Sequence, residues 1–335
     1  MSGKRSVKTK KRVQERKRMG QLHDRRSTST GGIMLLAVIL GGFTMDTASA
    51  RDPILKAGPS ICVPGTSGYF DFMEVDPVQD RLLAAHTGGG SLALVDLKTG
   101  RLLPALPVRN VQGVAVDPSS GTYILGDAQE HKVVFVNSRT LKVLGELPVS
   151  GPVDALAFDS RNGMVYAGED DGSHVWVIDV KSRKLVATVG ISGVPESVVF
   201  DSATDRIYQN LKTVDAVEVI DSASQTVSSN WSTLPAIDLK SGKVVAHADI
   251  APGTDPISFD PTDKMIYCAS RGVISVVRET SAGLESLETV PVHAGTHTLA
   301  SVPGRHQVWI SFGDQKGSSL QKFTVSPSHG KEELK

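Results

Sequence analysis

The stretch Val153–Val189, VDALAFDSRNGMVYAGEDDGSHVWVIDVKSRKLVATV, decides the fold. It contains four short alternating segments, VDALAF, MVYAGE, HVWVID and KLVATV, separated by clusters of Asp, Ser, Asn and Gly. Runs of Val, Ile and aromatic residues between such clusters predict antiparallel hairpins. One four-stranded unit cannot bury both of its faces alone, so the pattern predicts that it stacks on further copies of itself.

Two turn signals recur along the chain with the spacing of this unit. The first closes the innermost strand and recurs at intervals of 41, 42, 42, 59 and 42 residues, and the second follows the third strand. A period near 42 residues with four strands per unit predicts an all-β fold, a β-propeller of four-stranded blades. The first signal stands at Asp76-Pro77, Asp117-Pro118, Asp159-Ser160, Asp201-Ser202, Asp260-Pro261 and Val302-Pro303.

One unit of the repeat is incomplete. The interval of 59 residues is about 25 residues short of two full units. Thr226–Trp231 is predicted as the outer strand of one blade, followed by the outer half of the next blade at 232–248. The sequence thus predicts six near-complete blades plus a half-blade. The half-blade either remains from a seven-bladed ancestor with an internal deletion or is an extra outer hairpin on a six-bladed ring.

The final unit supplies only three strands. Ile54–Val63 is predicted to provide the fourth strand, so that the N-terminal strand closes the ring. A ring closed in this way has few free strand edges, which limits edge-to-edge aggregation.

The repeat resembles a known family. The units VDALAFDSRNGMVYAG and VWVIDVKSRKLVATV look like the YVTN-type repeat of YncE-like β-propellers, and the segment GYFDFMEVDPVQDRLLAAHTG at 68–88 is similar to their first blade. The resemblance covers about residues 54–325. It implies an exported, usually seven-bladed propeller, and it implies little about activity. The half-blade at 232–248 departs from the family pattern.

The first fifty residues read as a targeting segment. Ile33–Phe43 is an apolar run of 11 residues, too short to span a bilayer, which follows a basic stretch and precedes the cleavage pattern Ala48-Ser49-Ala50. We therefore predict a signal peptide at 1–50 with a basic n-region, whose true start is Met1 or Met19. A twin-arginine route through Arg25-Arg26 and a retained membrane anchor are the alternatives.

The predicted organisation is a signal peptide, a propeller at 51–325 and a disordered tail at 326–335. The expected location is the periplasm or the extracellular space, with no membrane span after cleavage and a monomeric state. Residues 1–50 carry 11 Lys and Arg against three acids, which leaves 25 basic and 33 acidic residues in the remainder. A net charge of about −8 argues against binding to nucleic-acid phosphates.

A polar residue stands at the start of each inner strand. The position five residues before the first turn signal always carries one, so these side chains are predicted to ring one mouth of the central channel, and second strands return to the same face. The inner-strand residues are Asp71, Gln112, Asp154, Glu196, Asp255 and His297, and the second-strand residues are His86, Asp127 and Glu169.

Four carboxylates in one ring repel one another unless a cation or a basic ligand compensates their charge. Oxygen ligands suit calcium or magnesium, so a divalent cation is a candidate cofactor. The alternative is a plain solvated rim. The residues predicted to hold such a cation are Asp71, Asp154, Glu196 and Asp255.

Three functions fit these observations. The first is an exported binding protein without catalysis, which uses the channel mouth to bind a small ligand, a metal or a partner protein. The second is a metal-dependent hydrolase of lactones, and the third is an accessory subunit of a periplasmic dehydrogenase. The sequence contains no G-x-S-x-G elbow, phosphate-binding loop or H-E-x-x-H motif.

Overall fold

A computed structural model describes residues 52–65, 67–214, 216–232, 236–239, 243–314 and 317–326. The chain divides into two units, residues 1–50 and 51–335. The predicted signal peptide and residues 327–335 of the predicted tail lie outside the described residues. Within the residues that the structure describes, no helix is long and apolar enough to cross a membrane.

The described chain begins with β1 (Leu55–Val63) and continues into four consecutive four-stranded antiparallel blades, whose strands follow one another in chain order. Blade 1 consists of β2 (Met73–Asp76), β3 (Arg81–His86), β4 (Ser91–Asp96) and β5 (Arg101–Pro107). Blade 2 consists of β6 (Val111–Asp117), β7 (Thr122–Asp127), β8 (Lys132–Asn137) and β9 (Val143–Pro148). Blade 3 consists of β10 (Val153–Asp159), β11 (Met164–Glu169), β12 (His174–Asp179) and β13 (Lys184–Gly190). Blade 4 consists of β14 (Pro195–Asp201), β15 (Arg206–Leu211), β16 (Ala216–Asp221) and β17 (Thr226–Ser232).

A two-stranded hairpin separates blade 4 from the last two blades. This half-blade consists of β18 (Ala236–Ile237) and β19 (Val244–Ala246). Blade 5 consists of β20 (Thr254–Asp260), β21 (Met265–Ser270), β22 (Val273–Thr280) and β23 (Gly283–Pro291). Blade 6 consists of β24 (Thr296–Val302), β25 (Gln307–Asp314), β26 (Gly317–Val325) and the N-terminal β1.

The ring is closed by pairing between the two ends of the propeller. β1 runs antiparallel to β26, from Leu55 opposite Val325 to Val63 opposite Ser318. The inner strands contact one another from β2 through β6 and β10 to β14, and β20 contacts β24, which returns to β2. The predictions of an all-β propeller with six four-stranded blades, a half-blade and an N-terminal closing strand are confirmed.

The two recurring turn signals are side-chain-capped turns. In blade 1, Asp76 Oδ1 accepts hydrogen bonds from the backbone N–H groups of Val78 and Gln79, at 2.8 and 3.0 Å. After the third strand, Asp96 Oδ1 accepts in the same way from Lys98 and Thr99, at 3.0 and 2.8 Å. These local bonds fix each hairpin, which is why Asp recurs with the period of the blade.

The core lies between the blades. Apolar side chains on the two faces of each sheet pack against the neighbouring blades and form several buried clusters. Trp176 packs between blades 2 and 3, and Trp309 packs between blades 6 and 1. Both indoles are fully buried.

One buried hydrogen bond ties blade 2 to blade 1. Tyr123 Oη donates to Asp76 Oδ2 at 2.8 Å, and both residues are buried. We expect Tyr123→Phe to lower the free energy of unfolding by about 1–3 kcal/mol, because Asp76 Oδ2 loses this donor in a dry environment. Urea unfolding measures the change. Tyr208→Phe is the control, because the Tyr208 hydroxyl is only half-buried beside Thr204; an equal loss in both variants would contradict the assignment.

Candidate functional site

Most inner strands have the same irregularity beside their first polar residue. In blades 2, 3, 4 and 5 the register between the inner strand and its neighbour shifts by one residue around this position, as between Val153 and Leu156 of blade 3. Such a bulge re-aims side chains at the end of a strand. The inner strands are also close together here, because a Cβ on Gly113 would collide with the carbonyl oxygen of Asp154.

The structure brings together the carboxylates that four different blades contribute to this mouth. Burial raises the pKa of Asp71 to about 7, and the carboxylates of Asp255, Glu196 and Asp170 add to the effect. Burial raises the pKa of Asp154 to about 8, followed by the influence of Asp71, Glu196 and Asp170. Their mutual influence shows that residues far apart in sequence share one electrostatic site.

Asp154 is the most deeply placed of these carboxylates. Asp154 is 4 % exposed, and its carboxylate makes no hydrogen bond or ion pair with any residue that the structure describes. A buried carboxylate without a partner is energetically costly. The mouth therefore holds a carboxyl group that stays protonated up to about pH 8 and becomes an unpaired negative charge above it.

Two residues of the mouth, Asp170 and Lys212, were not predicted from the sequence. The ammonium group of Lys212 lies 2.9 Å from Glu196 Oε2 and 3.1 Å from Asp170 Oδ1. Asp170 directly follows the end of β11 at Glu169, and Lys212 directly follows the end of β15 at Leu211. Both residues lie in the loops after the second strands, where the repeat does not define equivalent positions.

An aromatic residue borders the carboxylates. Tyr69 is 49 % exposed, and its ring centroid lies 6.3 Å from that of His297. Burial, followed by the charges of Asp71, Asp170 and Asp154, raises the pKa of its hydroxyl. Tyr69 was also absent from the predicted site, because it precedes the repeat position by two residues.

Gln112 and His297 each carry a buried polar atom without a hydrogen-bond partner among the described residues. Gln112 Oε1 and His297 Nδ1 are both buried, and neither has a hydrogen-bond partner within the described part of the chain. They occupy the predicted mouth position of blades 2 and 6. An amide oxygen and an imidazole nitrogen add hydrogen-bonding capacity to the acidic residues.

The three second-strand residues have structural partners instead. His86 is buried, stacks on Phe70 at a centroid distance of 4.4 Å, and its Nε2 lies 2.8 Å from Ser318 Oγ. Asp127 caps its own turn by accepting from the backbone N–H groups of Gln129 and Glu130, at 3.1 and 2.9 Å. We assign both residues to the loops and blade contacts in which they bond.

Glu169 also bonds within its own loop. Its Oε2 accepts a hydrogen bond from the backbone N–H of Ser173 at 3.2 Å and lies 2.8 Å from His174 Nδ1. The sequence alone could not reveal these local partners. Ser173 and His174 follow the second strand in a loop that differs from blade to blade, so the repeat predicts no contact for them.

The mouth does not present a ready-made metal cage. Among the described residues, no group of three or more His, Cys, Asp or Glu side chains is arranged to hold a metal ion. Asp71, Asp154, Glu196 and Asp255 influence one another electrostatically without converging on one point. An ammonium or guanidinium group, which bonds to several carboxylates through separate N–H donors, suits this arrangement better than a small spherical ion.

Comparison with known protein families finds no match, and no curated protein matches the sequence. Solved structures do match in fold. A Kuenenia stuttgartiensis hydrazine synthase chain has a TM-score of 0.64 at 15 % identity, covering 79 % of this chain and 98 % of its own. The β-propeller domain of Myceliophteria thermophila Cps50 (Swd1) has a TM-score of 0.64 at 12 % identity, covering 81 % and 100 %. A chain of a mitotic checkpoint complex has a TM-score of 0.68 at 14 % identity, covering 87 % and 99 %. These likenesses establish the β-propeller fold.

Proposed function

We propose that this chain is an exported, non-catalytic binding protein of the YncE-like group of propellers, and that its acidic channel mouth binds an organic cation. The ligand class is an ammonium or guanidinium group. The observation that carries the proposal is the set of five carboxylates at one mouth, those of Asp71, Asp154, Asp170, Glu196 and Asp255, of which Lys212 pairs with only two. A cationic ligand neutralises the remaining charge.

The surroundings of the carboxylates support an organic cation. Tyr69 presents an aromatic ring beside Asp71 and Asp154, and aromatic faces attract ammonium and guanidinium groups. Lys212 already shows how an ammonium group sits between two of these acids. The buried Gln112 Oε1 supplies a further acceptor for an N–H donor.

The cation comes either from a small amine or from a basic side chain of a partner protein. We favour the partner, since propellers of this fold occur in assemblies such as the mitotic checkpoint complex. Export is supported by the signal-peptide pattern that ends at Ala48-Ser49-Ala50. In this proposal the protein acts in the periplasm or outside the cell, and it performs no chemistry on what it binds.

Isothermal titration calorimetry on the propeller at pH 8 tests the proposal. The probes are butylguanidinium, n-butanol as its neutral counterpart, a tetra-arginine amide peptide and calcium chloride. We expect saturable binding of the peptide and no binding of butanol. If butylguanidinium binds as strongly as the peptide, the ligand is a small organic cation rather than a partner protein. Binding of calcium alone, or of no probe, overturns the proposal.

Two variants locate the binding site. We expect Asp154→Asn to weaken binding of the cationic probe at least tenfold, because the variant removes a desolvated charge at the centre of the mouth. The matched control is Asp179→Asn, which makes the same chemical change at an exposed turn where blade 2 carries Asn137. Equal weakening in both variants would contradict a site at the mouth.

A further inference from the structure

The missing half of the incomplete blade leaves two apolar walls facing each other. On β14, Val199 is 59 % exposed, whereas Ala115 and Ala157 at the same position of blades 2 and 3 are buried. On β20, Ile257 is 63 % exposed and Phe259 is 46 % exposed. Val114, Leu156 and Leu299, which occupy the position of Ile257 in blades 2, 3 and 6, are buried. The gap therefore opens the side of the central channel.

A cavity of about 1140 Å³ occupies the channel below the mouth and includes this gap. All six inner strands, β2, β6, β10, β14, β20 and β24, contribute to its wall, which includes Val199, Ile257 and Phe259. Cavities of several hundred Å³ with mostly apolar walls are typical of sites for small organic ligands. The cavity is thus large enough for an elongated molecule.

A single uncompensated carboxylate projects into this cavity. Glu74 stands where blades 2, 3 and 6 carry Ala115, Ala157 and Ala300, and it lines the cavity. Within the described residues, its carboxylate bonds only to the backbone N–H of Val75, at 3.0 Å. Burial raises the pKa of Glu74 to about 7, and the Val75 hydrogen bond opposes the effect. The side chain nevertheless remains accessible, because the cavity is open to solvent.

The other charged groups of the cavity wall are engaged or lie at its rim. Asp80 pairs with the guanidinium of Arg305, and the exposed ammonium group of Lys98 lies 4.0 Å from Asp80 Oδ2. The same guanidinium donates to the carbonyl oxygen of Leu97 at 3.2 Å. Glu279 is exposed near the end of the β22–β23 hairpin. Glu74 is therefore the carboxylate that faces the apolar interior of the cavity.

We propose that this cavity is a second binding site, which takes an elongated apolar molecule carrying one ammonium group. The apolar part contacts Val199, Ile257 and Phe259 in the gap, and the ammonium group pairs with Glu74. The site is separate from the acidic mouth, because Glu74 lies three residues beyond Asp71, or roughly 10 Å along the strand direction. It goes beyond the function proposed above and does not depend on it.

Three eight-carbon probes test this site by calorimetry at pH 8. Octylammonium, 1-octanol and octanoate share an apolar chain and differ in the charge of the head group. We expect octylammonium to bind at least tenfold more tightly than octanol, and octanoate to bind most weakly. Equal affinity for all three probes, or no binding of any of them, overturns the proposal.

Variants distinguish the parts of the site. We expect Glu74→Gln to remove the preference for octylammonium while leaving the octanol affinity within about twofold. Phe259→Ala should weaken all three probes. Asp154→Asn should leave the octylammonium affinity within about threefold, although the same substitution weakens the cationic probe at the mouth. Retention of the preference in Glu74→Gln, with thermal unfolding showing an intact fold, overturns the role of Glu74. Failure of the mouth probes alone leaves this site supported.

Discussion

At pH 9 the Asp154→Asn variant is expected to have a free energy of unfolding that exceeds that of the parent protein by on the order of 3–5 kcal/mol. Burial and the neighbouring carboxylates raise the pKa of Asp154 from 3.8 to about 8 in the folded state. The unfolded chain loses this proton near pH 4, whereas the folded protein retains it until about pH 8. The carboxylate therefore favours folding least at high pH.

The stability difference between Asp154→Asn and the parent protein is expected to grow as the pH rises. A raised pKa contributes stability that is fully present below the unfolded value and is lost as the pH rises through the folded value. The difference between variant and parent should thus be near zero at pH 4 and reach its full size above pH 8. Urea unfolding at pH 4, 6 and 9 measures it.

Asp179→Asn is again the matched control. Hydrogen bonds from Ser182 lower the pKa of Asp179, so its ionised form favours the folded state. The control should therefore gain no stability at high pH. A destabilised Asp154→Asn variant at pH 9 would contradict the electrostatic account of the mouth. It would mean that the carboxylate has a partner and is held in its charged form.

A chain that starts at Pro64, and so lacks β1, is expected to lose cooperative unfolding. Ile54, Leu55 and Val63 are buried in the cores on either side of blade 6. Each buried aliphatic side chain contributes about 1.5–3 kcal/mol, so their sum is comparable to the net stability of a typical domain. The backbone pairs of β26 are lost as well. Thermal unfolding followed by circular dichroism measures the effect.

A chain that starts at Asp52 is the control and should unfold cooperatively. The milder variant Leu55→Ala should lower the free energy of unfolding by about 2–4 kcal/mol, because it leaves a cavity in a buried cluster. This variant tests the closure in a protein that still folds. If the Pro64 chain had the same unfolding midpoint as the Asp52 chain, β1 would not hold the ring together.

Much of the fold could be predicted because its determinants are local. Asp76 and Asp96 bond to the turns that immediately follow them, so their recurrence marks the hairpins directly. The half-blade was predictable as well, since its remaining turn at Asp238 keeps the phase of the repeat. The closing strand followed from the number of strands in the last unit. In a repeat protein, residues at the same position of the repeat unit occupy equivalent places in the fold, so the sequence position predicts the structural position.

The site could be predicted only in part, because its details depend on contacts between blades. The repeat frame assigns Asp71, Asp154, Glu196 and Asp255 to equivalent positions in their blades. It missed Lys212, because this residue lies in the loop after β15, beyond the repeating strands. Glu74 had a visible signal, since the other blades carry small or aliphatic residues at its position. Its significance depends on the cavity, which no pattern in a single sequence reveals.

The pairing of β1 with β26 also sets an order of events during synthesis. The first strand of the propeller leaves the ribosome long before its partner, and the contact between Leu55 and Val325 spans nearly the whole domain. Contacts of such sequence separation form slowly, because the intervening chain must first be ordered. Until Val325 has been made, blade 6 has an exposed edge and an open core. The newborn chain is then at its most vulnerable to aggregation, and a chaperone that shields this edge would protect it during that interval.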